Sequence, residues 1–125
     1  MNLNQVTLPA TDLERSVDFY RRMGFRQIVA AADYARFECP AGEATLSLHR
    51  VAGPLADSHV VVYFETPEID AEVRRLQAAG FVFTQLPRDE PWLWREARLV
   101  DPAGNVLCLF RAGEHRRHPP WRLQD

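Results

Sequence analysis

The chain has 125 residues and a formal net charge of −2, with 46% hydrophobic and 26% charged residues. That balance is ordinary for one globular domain with a single real core, and it excludes a polycationic nucleic-acid-binding surface. No apolar run approaches the roughly 20 residues that span a bilayer, so no membrane partner is expected. The N-terminus shows no charged-then-apolar leader, and Cys39 and Cys108 share no metal or redox spacing, so a reducing cytoplasm is the expected setting.

The opening run, LNQVTL (3–8), alternates like a strand, with Asn4, Val6 and Leu8 on one face and Leu3, Gln5 and Thr7 on the other. A helix follows. Thr11 or Asp12 can cap it, Glu14 suits its first turn, and Gly24 suits its C-terminal cap. Leu13, Val17, Tyr20 and Gly24 form its inner stripe, widened by Ser16, Phe19 and Met23. Residues 25–31, 34–39 and 43–50 read as strands, with the turn CPAG between the last two and a linker over 51–57.

The pattern then restarts. Residues 58–65 read as a strand and 66–80 as a helix, with Thr66 as cap, Pro67 at the first position, Gly80 at the end and Ile69, Val73 and Leu76 inward. Strands are predicted over 81–86, 93–100 and 105–111, with the turn DPAG between the last two. The chain is thus a βαβββ unit twice over, with module one at 1–52, module two at 57–111 and a tail at 112–125. Local likenesses support a duplication: QVTL with HVVV, CPAG with DPAG, LSLHR with LCLFR. They set Gln5 against His59 and Ser47 against Cys108.

Strand parity separates two faces. Val6, Leu8, Leu46, Leu48, Val60, Val62, Phe64, Leu107 and Leu109 form an apolar face on which the helices should pack. Gln5, Thr7, Ser47, His49, His59, Val61, Tyr63, Cys108 and Phe110 form the other. A solvated sheet face carries Lys, Glu and Arg; this one is neutral, polar and aromatic, as a ligand pocket is. Trp92, Trp94, Glu96 and Arg98 share a parity and can add aromatic planes, an acid and a base to it. The alternative is a surface that packs on another chain. In the tail, His115, Arg116, Arg117 and His118 precede Pro-Pro-Trp, and Trp121 is expected to dock on the body or on a partner chain.

QVTLPATDLERSVDFYRRMGF and DPAGNVLCLF resemble the opening and closing segments of the vicinal oxygen chelate superfamily, which includes glyoxalases, bleomycin-resistance proteins and extradiol dioxygenases. The resemblance covers about residues 3–111. It implies an α+β fold in which two βαβββ modules form a cup-shaped mixed sheet with helices on the outer face. In metal-dependent members the first strand of each module supplies His or Gln and the last supplies Glu. Those four positions are Gln5, Ser47, His59 and Cys108 here, so both carboxylates are absent. Hard or borderline divalent ions are held by carboxylate and imidazole, which Ser and a neutral Cys do not replace. No cofactor is therefore expected; a divalent metal, if any, would use Gln5, His49, His59 and Cys108 as a zinc-type set.

The expected function is binding of a small organic molecule in a cleft of a homodimer. The expected ligand-binding residues are Gln5, Thr7, Ser47, His49, His59, Tyr63, Trp92, Trp94, Glu96, Arg98, Cys108 and Phe110. The alternatives are a lyase, isomerase or dioxygenase with an atypical site around His59, in which Glu96 or Glu65 could be a base, and a structural interaction module.

Overall fold

Alternating strands flank two amphipathic helices in the computed structural model, which describes residues 1–124. The elements are β1 (Gln5–Ala10), α1 (Leu13–Met23), β2 (Arg26–Ala30), β3 (Tyr34–Glu38), β4 (Thr45–Arg50), β5 (Val61–Glu65), α2 (Ile69–Ala78), β6 (Gln85–Asp89), β7 (Arg95–Val100) and β8 (Val106–Arg111), then a 3-10 turn at Gly113–Arg116. Each βαβββ module closes its own four-stranded mixed sheet, in the orders β1-β4-β3-β2 and β5-β8-β7-β6. In both, the first and last strands of the module pair in parallel and the others pair antiparallel. The fold is α+β, with the module predicted from the repeat present twice. The chain forms two units: residues 1–59 with the turn at 101–105, and residues 60–100 with the segment from Val106 onward.

In the first unit, Asp12 rather than Thr11 caps α1, its Oδ1 accepting the Arg15 N–H at 3.1 Å. Gly24 ends the helix at φ 116°, which a side chain would resist. Leu13, Ser16, Tyr20 and Met23 are buried on the inner stripe, and α1 packs on β3 and β4. Tyr20 lies edge-on to Phe25, with ring centroids 5.6 Å apart, and 6.1 Å from Phe37. Leu8, Phe37, Leu46 and Leu48 complete this core, so the apolar strand face does take the helix.

The turn at 101–105 is built around Asp101, which is buried. Its Oδ1 accepts the N–H groups of Ala103 and Asn105, both at 2.9 Å, and its Oδ2 accepts the Asn105 side chain at 2.8 Å and the Tyr20 hydroxyl at 2.7 Å. Burial first, and then Asp101, push the Tyr20 phenol far above its usual range.

In the second unit, α2 starts two residues later than the sequence suggests, at Ile69 after Glu68, and lacks a side-chain cap. The Thr66 N–H is used instead to bond the Phe110 carbonyl at 2.9 Å, which prolongs the sheet past β5. Ile69, Val73 and Leu76 are buried as expected. Residues 81–84 are not a strand. Phe81 is buried and its N–H closes the helix on the Leu76 carbonyl at 3.0 Å, while Val82 is exposed. The strand comes later, at Gln85–Asp89, and contains Pro87 at a register shift on the sheet edge, where a missing donor is tolerated.

Trp121 does not dock on the body of its own chain: it is 57% exposed. The 3-10 turn of the tail is instead fastened by Glu65, whose Oε2 accepts the N–H groups of Ala112 and Gly113 at 2.9 and 3.0 Å. No helix among the described residues is long and apolar enough to cross a membrane.

Candidate functional site

The polar face of the second sheet is set by register. Tyr63, Cys108 and Arg98 form one cross-strand row, and Glu65, Phe110 and Glu96 form the next. Residues of one row share a face, so the sheet brings an acid, a base and two aromatic rings together. Trp94, just before β7, stacks on Phe110 at 4.6 Å between centroids with planes 20° apart. Tyr63 stands edge-on to both, at 5.9 Å from Trp94 and 5.6 Å from Phe110. Cys108, Phe110 and Ala112 form a small buried cluster beneath, with Val61 and Trp94 packed against it.

Glu96 sits within this aromatic ground and is only 2% exposed. A carboxyl so placed must find donors, because burying it without them is costly. Its Oε2 accepts the Trp92 indole N–H at 2.6 Å; its Oε1 takes a long contact from Arg98 at 3.4 Å and one from the Cys108 thiol at 3.6 Å. The same Arg98 Nη2 reaches the Tyr63 hydroxyl at 3.3 Å. Both Glu96 oxygens are thus engaged and the side chain has no exposed edge. Glu65, the other carboxyl considered as a base, is taken by the tail turn.

Trp92 reaches Glu96 by a route that strand parity does not describe. β7 starts at Arg95, and Trp92 lies in the preceding turn, where Leu93 takes φ 69°. The turn is closed by the Leu93 N–H on the Glu90 carbonyl at 3.0 Å and the Glu90 N–H on the Trp94 carbonyl at 2.7 Å. A left-handed leucine is strained, and here it swings the indole back over the sheet. Behind Trp94, its indole N–H points to the His115 carbonyl at 3.4 Å, so the 3-10 turn supports the ring. A pocket of about 610 Å³ opens on this side, lined in part by Glu90, Trp94, Arg95, Arg111 and His115.

The polar face of the first sheet has a different character. Gln5 pairs with Thr45, and the Thr45 hydroxyl donates to the Gln5 carbonyl at 2.8 Å. In the next row Thr7 pairs with Ser47, their hydroxyls 2.6 Å apart, and Arg36 lies across from Ser47. The Arg36 Nε–H donates to the Tyr34 hydroxyl at 2.9 Å. Hydrogen bonding to Ser47 first, and then to Arg36 and Gln5, holds the Tyr34 phenol below its usual range. Tyr34 and Arg36 are absent from the predicted set, although alternation in YARFE places both on one face.

His49 and His59 are exposed and join neither cluster; His59 lies outside β5, which starts at Val61. Register also corrects the internal match. Val61 pairs with Val106, two residues before Cys108, as Gln5 pairs with Thr45, two before Ser47. The structural counterpart of Gln5 is therefore Val61 and not His59.

The family-implied metal does not fit these residues. In the first sheet, the Ser47 hydroxyl and the Gln5 carbonyl are bonded to Thr7 and Thr45, and Glu38, across from Thr45, is exposed. In the second, Cys108 is fully buried beside Glu96, and burial first and then Glu96 push its thiol up to about 12. Among the described residues, no three His, Cys, Asp or Glu side chains converge as an ion's ligands would.

Comparison with known proteins adds the ancestry. Residues 2–109 match the model of the Glyoxalase/Bleomycin resistance protein/Dioxygenase superfamily. The anthracycline biosynthesis protein DnrV of Streptomyces peucetius is 37% identical over 70 residues, which cover 52% of this chain and 26% of that protein. The chain thus matches about a quarter of the length of that relative. Among solved structures, TioX from Micromonospora sp. ML1 superposes with a TM-score of 0.71 at 25% identity, covering 90% of this chain and 99% of the other. A bleomycin-binding protein in complex with bleomycin superposes with a TM-score of 0.73 at 23% identity, covering 89% and 98%.

Proposed function

The chain belongs to the Glyoxalase/Bleomycin resistance protein/Dioxygenase superfamily, and from that premise we propose that it binds a small, flat organic molecule on the aromatic and charged face of its second unit, without a metal. One observation carries the reading. Tyr63, Trp92 and Trp94 surround an Arg98–Glu96 pair, with Tyr63 and Trp92 each 43% exposed over a buried floor. Exposed aromatic planes beside oriented polar groups suit a conjugated ligand with a few hydrogen-bonding atoms. Proteins similar to the chain point to the same class of ligand: one carries bleomycin, and another belongs to anthracycline biosynthesis.

The metal-free part of the proposal rests on the donor set: the described residues bring no three His, Cys, Asp or Glu side chains together, and Ser47 is bonded to Thr7. A binding protein needs no Lewis acid; an isomerase of this superfamily would need one together with an accessible base. Glu96, buried with both oxygens engaged, supports the binding reading over that one.

The test is calorimetric titration of the full chain with bleomycin and with an anthracycline, alongside metal analysis of protein purified without chelator. Saturable binding to metal-free protein, weakened at least about tenfold by Trp94→Ala, supports the reading. Binding that needs a stoichiometric ion, or that ignores Trp94→Ala, overturns it.

A homodimer is part of the same proposal. Val60, Tyr63, Trp92 and Leu93 leave large apolar side chains between 43% and 66% exposed within one unit, more than a lone surface gains from. Light scattering at rising concentration should give twice the chain mass; a monomer throughout contradicts it.

A further inference from the structure

The duplication supplies an internal comparison. In each sheet an arginine of the third strand stands across from the fourth-strand position where the family carries a ligand: Arg36 across from Ser47, Arg98 across from Cys108. The residue two before each arginine shares its face. In the second sheet that residue is Glu96, and it forms an ion pair with Arg98 at 3.4 Å. In the first sheet it is Tyr34, a phenol, which bonds Arg36 at 2.9 Å but brings no carboxyl.

Arg36 is half-buried and forms no ion pair among the described residues. Glu38, one row further along, lies across from Arg26 and makes no ion pair with Arg36. His49, across from Tyr34, is exposed. The guanidinium donates to the Tyr34 hydroxyl and lies over that ring, the Thr7 and Ser47 hydroxyls share its row, and Gln5, Thr45 and the exposed Glu38 form the next row on the same face. A partly desolvated cation without a counter-ion is costly, and a guanidinium fork with neighbouring hydroxyls is the donor set that suits an oxyanion.

We propose that the first sheet carries an anion site in which Arg36, Tyr34 and the exposed Thr7, backed by the buried Ser47 hydroxyl, hold the carboxylate or phosphoryl group of a small molecule. The ligand supplies the charge that Glu96 supplies in the other module. At the family's ligand positions the chemistry is then inverted: where carboxylates would hold a cation, hydroxyls and an arginine hold an anion. The inference stands apart from the reading of the second unit, since none of its residues belongs to the aromatic face proposed to hold that ligand.

The test follows the Arg36 Nε–Hε signal by nuclear magnetic resonance while the full chain is titrated with benzoate, inorganic phosphate, and sodium chloride at matched ionic strength. The proposal predicts a saturating shift of that signal and of the Ser47 amide with benzoate or phosphate, and none with chloride. Saturation by benzoate alone identifies a carboxylate site, by phosphate alone a phosphoryl site, and by both a general oxyanion site. Arg36→Gln should abolish saturation at Ser47, Arg36→Lys should weaken it at least about tenfold, and Arg21→Gln, on the exposed side of α1, should leave it unchanged. Shifts that grow linearly with every salt, or that persist at Ser47 in a folded Arg36→Gln protein, overturn it.

Discussion

The Trp92 indole N–H donates to the Glu96 Oε2 at 2.6 Å, so a half-exposed ring in a strained turn satisfies a buried acid. Trp92→Phe keeps the ring and deletes that donor, leaving the oxygen unsatisfied. Such a loss costs about 1–3 kcal/mol, and urea unfolding should show it. Glu96→Gln tests the same contact from the acceptor side, since the amide oxygen can still accept from Trp92 while the amide nitrogen cannot accept from Arg98. It should destabilise less than Trp92→Phe if the amide oxygen keeps the indole.

Tyr20 and Asp101 make a second measurable pair within the first unit. Tyr20→Phe removes one of the donors to a buried carboxyl and should cost about 1–2 kcal/mol. Asp101→Ala removes the acceptor for the whole turn and should cost more, on the order of 3 kcal/mol. Because the folded-state pKa of Tyr20 is raised, its contribution is fully present below pH of about 10 and falls as the pH rises beyond that. Thermal unfolding from pH 8 to 11 should therefore show a steeper loss in the wild type than in Tyr20→Phe.

Cys108 should be inert while the chain is folded. Its thiol is fully buried and held protonated by burial and by Glu96. Cys39, half-buried, is raised by burial alone. Iodoacetamide at pH 8 should label Cys39 slowly and Cys108 only after denaturation, as peptide mass spectrometry would show. Prompt labelling of Cys108 in folded protein would mean that it carries thiolate.

The repeated module was legible because hydrophobic periodicity and glycine-marked turns are local signals: Leu13, Tyr20 and Gly24 alone outline α1. The failures came where distant groups compete for the backbone. Thr66 reads as a helix cap, but the Phe110 carbonyl claims its N–H. Residues 81–84 read as a strand, but Phe81 closes α2 and plugs the core. Parity placed Tyr63, Trp94, Glu96, Arg98 and Phe110 on one face, and they do meet there. It placed Trp92 on that face through a strand that is in fact a turn with a left-handed Leu93. His59 was matched to Gln5 by local likeness, whereas pairing register, a property of two strands, selects Val61.

The central claim concerns which face holds the ligand, and the three tryptophans are natural reporters of it. Trp92 and Trp94 line the face, and Trp121 lies exposed in the tail. Indole N–H resonances followed during titration with bleomycin or an anthracycline should show the Trp92 and Trp94 signals moving to saturation while that of Trp121 stays in place. Saturable binding that moves Trp121 alone, or none of the three, would contradict the account.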